Sequence, residues 1–431
     1  MACITLLCSC NSGDYRNAIP YGCTAVMRID ATDNAVNEQL SALQTVLHVS
    51  DPKESGMDFS EEIYLFESSD GNFGLCAKVS DEDILCDALK KDKAEQGPER
   101  QGCRFFVLNG NIIVGCTSSA MLAIGPVMPA ARGDMYNRMV GYLKQEEAKS
   151  PMIDKLEGMK GGAVFVAQAS ALPDKLAGIF SIGMPKGSDL SQCIIAAKVD
   201  VLENTLTVDA EPMSFNATVD NTLKTSYDIF RPITAQYLST MDANDAMGLF
   251  LNIDGDRFLP LLQDSEALWT VFAGINQAVD FNAVMKSIDG DVILTIPEYA
   301  AEKTEFAMAA MLKNSTFLND VGYWKESVPA GAHITDWKKD AYLYSGNGMT
   351  FCFGVTSGKS PHFYSGTSTD IAERSVMKAE HILPEHIRKF VAGKKLAVVV
   401  NLQTLLAGQG TGGAINIPGI SSVNTIVYTV K

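Results

Sequence analysis

Hydrophobic and polar positions along this chain switch repeatedly from the two-residue period of a strand to the 3.6-residue period of a helix. Residues 24–30 read as a strand and 34–47 as the amphipathic helix that comes after it. The same succession returns at 162–167 with 172–180, at 246–253 with 258–263, and at 396–400 with 402–406. The segments after the first and third of these openings also match each other. A hairpin over 62–79, turning at Ser69-Asp70-Gly71-Asn72, leads into a helix opened by the capping-box pattern Ser80-Asp81-Glu82-Asp83, and then into a hairpin over 103–116. In the second half a hairpin over 291–313, a short helix over 315–324 and a hairpin over 341–355 repeat that order. Residues 188–213 add strands centred on Leu202-Glu203-Asn204. The pattern predicts an α+β fold of duplicated strand-helix units with antiparallel hairpins, helices packing on mostly antiparallel sheets. The expected organisation is a leader and tether over 1–23, a first half over 24–240 and a second half over 241–431, divided at the polar stretch 238–244.

One hairpin carries a chemical expectation. Asn109-Gly110 at the centre of 103–116 predicts a two-residue turn. Leu108 then faces Asn111, and Cys103 faces Cys116 at a non-hydrogen-bonded position, where antiparallel strands come closest. Cys103 and Cys116 are therefore a candidate disulfide in an oxidising compartment. The alternative is two small apolar residues on a buried face.

The compartment is suggested by the first residues. Leu7-Cys8-Ser9-Cys10, ahead of the polar Asn11-Ser12-Gly13-Asp14, resembles a bacterial lipobox: small Ser9 lets a processing peptidase close around the bond before Cys10. Cys10 is the expected lipidation site, and each buried methylene of its acyl chains adds about 0.8 kcal/mol of membrane affinity. Behind this anchor, 46% hydrophobic residues in a chain of 431 supply large cores. A net charge of −16 argues against nucleic acid and against docking on anionic lipid through a basic face.

Candidate chemistry is sparse. Of ten cysteines, seven lie beyond Cys10, so at least one of them is unpaired, and no CxxC or zinc-type Cys/His spacing occurs. The glycine-rich 408–413 lies after a helix and before a strand, the reverse of a phosphate loop, and reads as a linker. Ile-Asp-Gly-Asp occurs at 253–256 and 288–291 without the further ligands that calcium needs. His381 and His386 are separated by Pro384 and so share no helix face, and no serine or cysteine sits in a nucleophile motif. No catalytic residue, cofactor or metal ligand is assigned. Trp324 and Trp337 flank a polar loop and are candidate ligand contacts, the alternative being core packing.

With the lipobox, Tyr15-Arg16-Asn17-Ala18-Ile19-Pro20, the strand Ala25-Val26-Met27-Arg28-Ile29-Asp30 and the strand Gly290-Asp291-Val292-Ile293-Leu294, the chain resembles an uncharacterised lipoprotein family of Bacteroidetes, of the domain-of-unknown-function 4836 type. The resemblance implies an envelope lipoprotein and brings no catalytic residues with it. Only Asp14 is acidic just after Cys10, which favours the periplasmic face of the outer membrane over the cell surface. The expected role is non-catalytic binding or structure, with a protein, glycan or lipid partner and a membrane anchor at the N-terminus. The alternative is a hydrolase of an envelope or dietary polymer with a site assembled from scattered residues. A third reading, a cytosolic protein with reduced cysteines, is excluded if Cys10 carries acyl chains.

Overall fold

The computed structural model describes residues 14–33, 55–146, 150–172, 182–264, 279–299, 305–346, 348–408 and 423–431. Cys10, the helix read at 34–47, all but the start of the segment read at 172–180, and all but the start of the glycine-rich 408–413 lie outside these residues. Two compact units form, one chiefly from Met1–Ala171 and the other chiefly from Leu172 onward, a changeover earlier than the polar stretch at 238–244.

The first unit contains β1 (Ala25–Ile29), β2 (Ile63–Glu67), β3 (Phe73–Lys78), β4 (Glu95–Arg100), β5 (Cys103–Leu108), β6 (Ile112–Cys116), β7 (Ala120–Gly125) and β8 (Ala163–Gln168). They pair antiparallel throughout, in the order β8-β1-β2-β3-β7-β6-β5-β4. Its helices are α1 (Glu82–Lys91), α2 (Arg132–Leu143) and α3 (Pro151–Glu157). Asp81, one residue later than the capping-box reading placed the cap, accepts the Asp83 and Ile84 N–H groups at 3.0 Å each and starts α1. The helix buries the stripe Leu85, Cys86 and Leu89. α2 covers the opposite face, where the Phe105 and Tyr136 rings stand 5.1 Å apart. Gly115 is required there, because a Cβ would lie 2.6 Å from the Phe105 ring.

The 103–116 hairpin forms with a different register from the one expected. Asn109 (φ 49°) and Gly110 (φ 74°) are both left-handed, but the loop also includes Asn111, so Leu108 pairs with Ile112 and Arg104 with Cys116. A one-residue slip moves every side chain to the other face. Cys103 instead pairs with Arg100 and lies on the face opposite Cys116, which rules out the disulfide between them.

The second unit adds β9 (Ile194–Leu202), β10 (Thr205–Met213), β11 (Met247–Asp254), β12 (Ile288–Ile296), β13 (Ala307–Leu312), β14 (His333–Lys338), β15 (Ala341–Gly346), β16 (Met349–Val355), β17 (His362–Gly366), β18 (Leu396–Asn401) and β19 (Thr425–Val430). Their order is β9-β10-β19-β18-β11-β12-β13-β17-β16-β15-β14, antiparallel except for β10 with β19. The run from β18 to β14 repeats the first unit's β8 to β4 strand for strand. This is the duplication expected from the hydrophobic pattern. Glu203 and Asn204, both at positive φ, make the tight turn between β9 and β10.

The helices of this unit are α4 (Ala217–Tyr227), α5 (Gly255–Asp264), α6 (Phe281–Lys286), α7 (Val321–Ser327), α8 (Thr369–Arg374), α9 (Glu385–Val391) and α10 (Leu402–Gly408). Alternation along β11 to β13 supplies two cores. Phe250, Ile293 and Ala309 pack with Ile387 and Val391 of α9 and with Tyr237 and Met241. On the other face Leu251, Val292 and Met308 meet Phe258 and Leu262 of α5 and Met285 of α6, around an apolar cavity of about 30 Å3. No helix of the described residues is long and apolar enough to cross a membrane.

Candidate functional site

Two carboxyls, an arginine and a histidine converge beside the start of β11. The segment before it is held by backbone bonds: Ala243 N–H donates to His381 O at 2.7 Å, Asp245 N–H to Asp242 O at 3.0 Å, and Asn401 N–H to Ala246 O at 3.0 Å. This brings Asp242 and Asp245, Arg374 at the end of α8, and His381 together. Asp242 Oδ1 accepts Asn244 N–H and Nδ2 at 3.0 Å each, while its Oδ2 accepts His381 N–H at 3.1 Å and lies 3.3 Å from His381 Nδ1. Asp245 Oδ2 accepts the Asp242 N–H at 3.1 Å, and its Oδ1 lies 3.4 Å from an Arg374 amino group.

The two carboxyls are driven apart. Burial pushes Asp245 up to about 6, against the pull of the Asp242 N–H and the Arg374 cation. Burial acts on Asp242 too, but the Asn244 and His381 N–H groups and the His381 ring outweigh it and hold that carboxyl below its ordinary value. Such a split resembles an acid and base pair. The geometry gives it little to act on, because the space beside Asp245, lined by Thr295, Pro297 and Ser375, is about 10 Å3.

The two Ile-Asp-Gly-Asp tetrapeptides meet across β11 and β12, with Asp254 opposite Asp289 and Ile253 opposite Gly290. Their carboxylates go to separate partners rather than to one centre. Asp289 pairs with Arg231 at 2.8 Å and Asp256 with Lys313 at 2.6 Å. Asp291 accepts Thr234 N–H, Thr234 Oγ1 and Gln236 N–H at 2.9 Å each. Among the described residues no three His, Cys, Asp or Glu side chains converge as a metal site. The histidines are also dispersed. His386 bonds Thr205 Oγ1 and Glu203 at 3.1 Å each, and His362 Nδ1 lies 2.6 Å from the Tyr237 hydroxyl.

Trp324 and Trp337 do not form the ligand platform they suggested. Trp324 is only 4% exposed, stacked on Phe317 at 6.4 Å and packed on Phe353. Its position on α7 turns it into the core because Phe317, Phe353 and Phe363 make an aromatic nest behind it. Trp337 is half-buried against Tyr364, with Lys338 Nζ over its ring at 4.8 Å.

Exposed large apolar groups occur in both units, Tyr323 beside Trp324 among them at 71%. Tyr21, Phe73 and Met128 are 61, 66 and 75% exposed. Backbone pairing carries them to one end of the first unit's sheet. Phe73 opens β3 opposite both Glu67 and Gly125, Glu67 O accepts the Thr24 N–H at 2.8 Å three residues after Tyr21, and Met128 follows Gly125 by three residues. No hydrophobic period marks this cluster, since each member stands at or just beyond the end of a strand. Cys116, freed of Cys103, lies with its Sγ 3.6 Å from Cys86 Sγ of α1.

The model of a family described as "Domain of unknown function (DUF4836)" matches residues 24–375. No curated protein matches the chain. Among solved structures, crystal form III of TP0453 is 8% identical, covering 84% of this chain and 97% of that one with a TM-score of 0.26. Crystal form IV of TP0453 is 11% identical, covering 44% and 77% with a TM-score of 0.29.

Proposed function

The chain belongs to the DUF4836 family, and from that premise we propose that it is a non-catalytic binding protein of the cell envelope, anchored by lipid on Cys10 at the periplasmic face of the outer membrane. The exposed cluster of Tyr21, Phe73 and Met128 is the observation that carries the binding role. Two aromatics and a methionine gathered at one end of a sheet match the composition that protein interfaces favour and ordinary surfaces lack. The partner is therefore a protein that presents an apolar surface. The ionisable cluster at Asp242 and Asp245 supports the same reading, because its polar atoms bond one another and the backbone around almost no free volume.

Photo-crosslinking in intact cells tests this. Benzoylphenylalanine at positions 21, 73 and 128 is expected to capture one common protein adduct that the same probe at exposed Asp87 does not. Identical adducts at all four positions, or adducts to lipid or glycan alone, overturn the protein-partner reading. Labelling with an alkyne fatty acid is expected to mark the chain and to vanish in Cys10→Ala; an unlabelled wild-type chain refutes the envelope anchor.

A further inference from the structure

Cys86 and Cys116 come from elements that pack through sheet and helix faces rather than loops. Cys86 stands mid-helix in α1 on its buried stripe, and Cys116 ends β6 on the sheet face that α1 covers. Their sulfurs are 3.6 Å apart, and both residues are buried. Closing that gap to the roughly 2.05 Å of a disulfide needs a movement within the reach of two χ1 adjustments and a slight shift of the helix. The other cysteines are placed differently: Cys23 Sγ donates to Pro20 O at 2.9 Å, Cys76 Sγ to Tyr15 O at 3.3 Å, and Cys103 faces away from Cys116. Among the described residues no second pair of sulfurs lies within hydrogen-bond reach.

A second feature lies beside the pair. The β4 register shifts between Gln96 and Glu99, a bulge at Gly97-Pro98. Beneath it opens a pocket of about 120 Å3 with Cys86 in its wall and Lys90, Arg104 and Glu99 around it. It is polar and large enough for the sulfur end of a small disulfide. Cys116 does not line this pocket, and its Sγ donates to Arg104 O at 3.5 Å.

We infer that Cys86 and Cys116 are a redox pair, converted by a thiol–disulfide oxidant into a disulfide that ties α1 to β6. Cys86 Sγ, losing its proton, attacks one sulfur of the oxidant and expels the other as a thiolate, giving a mixed disulfide. Cys116 Sγ, losing its proton in turn, attacks the Cys86 sulfur and expels the second thiolate. Two protein thiols are oxidised, the oxidant is reduced to two thiols, and the two protons go to the departing thiolates. Burial raises both protein thiols above their ordinary value, so the exchange depends on an oxidant seated in the pocket rather than on free thiolate at the surface.

Trypsin separates the cysteines concerned: Cys86 falls in 79–90, Cys103 in 101–104 and Cys116 in 105–132. The reduced full chain is incubated with oxidised glutathione, alkylated, digested and analysed by mass spectrometry. A linked 79–90/105–132 species, two hydrogens lighter than the sum of its peptides, is expected as the dominant disulfide and is expected to persist in Cys103→Ser. Cys116→Ser is expected to retain glutathione on Cys86. Alkylated Cys86 and Cys116 in the oxidised wild type, or a 101–104/105–132 link in place of the expected one, overturns the inference. Because the assay uses purified chain, its failure leaves the envelope reading intact.

Discussion

Replacing Asp245 by asparagine isolates the energetic consequence of a carboxyl raised by burial. The folded-state value of about 6, against an ordinary 3.8, is a shift of about two units, equivalent to about 3 kcal/mol between the protonated and ionised forms. Proton binding sets the direction. Between these two values the folded chain holds the Asp245 proton while the unfolded chain has released it, so stability falls as pH rises from about 4 to about 6 and stays low above that. An asparagine side chain keeps the size of the aspartate and an oxygen for the Asp242 N–H, without a charge to bury. Asp245→Asn is expected to match wild type near pH 4 and to exceed it by about 3 kcal/mol at pH 7.5, the Arg374 attraction already being included in the shifted value. Urea unfolding followed by tryptophan fluorescence reads the relevant unit, since Trp324 and Trp337 both fall in the second one. With a slope of about 2–3 kcal/mol per molar, the midpoint rises by roughly 1 M at pH 7.5. A difference between variant and wild type that is the same at both pH values, or a destabilised variant at pH 7.5, refutes the reasoning.

Packing and hydrogen bonding set the outcome of four more substitutions. Trp324→Ala is expected to cost about 3–5 kcal/mol by opening a cavity against Phe317 and Phe353, and Trp337→Ala less than half of that; equal losses in urea unfolding contradict their different burial. Asp81→Ala removes the acceptor of two N–H groups and is expected to cost about 1 kcal/mol, with hydrogen exchange accelerated at Asp83 and Ile84 first. Asp291→Ala leaves the Thr234 and Gln236 donors without their buried acceptor, Asp291 being 2% exposed, and is expected to lower stability by about 3 kcal/mol in thermal and urea unfolding.

The elements that the hydrophobic pattern revealed are the opening strands and the hairpins with clear turn signals. The strands read at 24–30, 162–167, 246–253 and 396–400 are β1, β8, β11 and β18, and the two hairpins of each half form as read, apart from the register of the one at 103–116. β4, β7, β14, β17 and β19 escaped: the edge strands β4 and β14 carry charge where inner strands carry alternating apolar residues, β4 being Glu-Gln-Gly-Pro-Glu-Arg and almost wholly solvated, while β7, buried on both faces, has no alternation to mark it. The 103–116 hairpin shows a different limit. Asn109-Gly110 marked the turn, but whether Asn111 joins the loop is decided by how β6 packs on β7 and α2, which no local signal records. That single residue removed Cys103 from Cys116 and turned Cys116 toward α1. Trp324 was ambiguous for a similar reason, since part of the aromatic nest that buries it is contributed by strands that lie later in the chain. The Asp242 to His381 cluster was not legible at all, because its members are joined by tertiary contacts rather than spacing.

The placement of β1 and β11 inside their sheets governs the order in which the chain can fold. Ile29 pairs with Ala163, and Leu251 with Leu396, so the opening strand of each repeat has one flank open until nearly the whole repeat exists. Contacts so distant in sequence close slowly, and an unpaired flank is a template for wrong partners while it waits. Successive emergence of the chain from its N-terminal end, during synthesis or passage through a membrane, prolongs that interval twice, once for each unit. Premature termination anywhere before β8 leaves β1 with β2 alone on one side, and a fragment ending before β18 does the same to β11. How long these flanks stay open is thus set by the strand order, independent of how stable either finished sheet is.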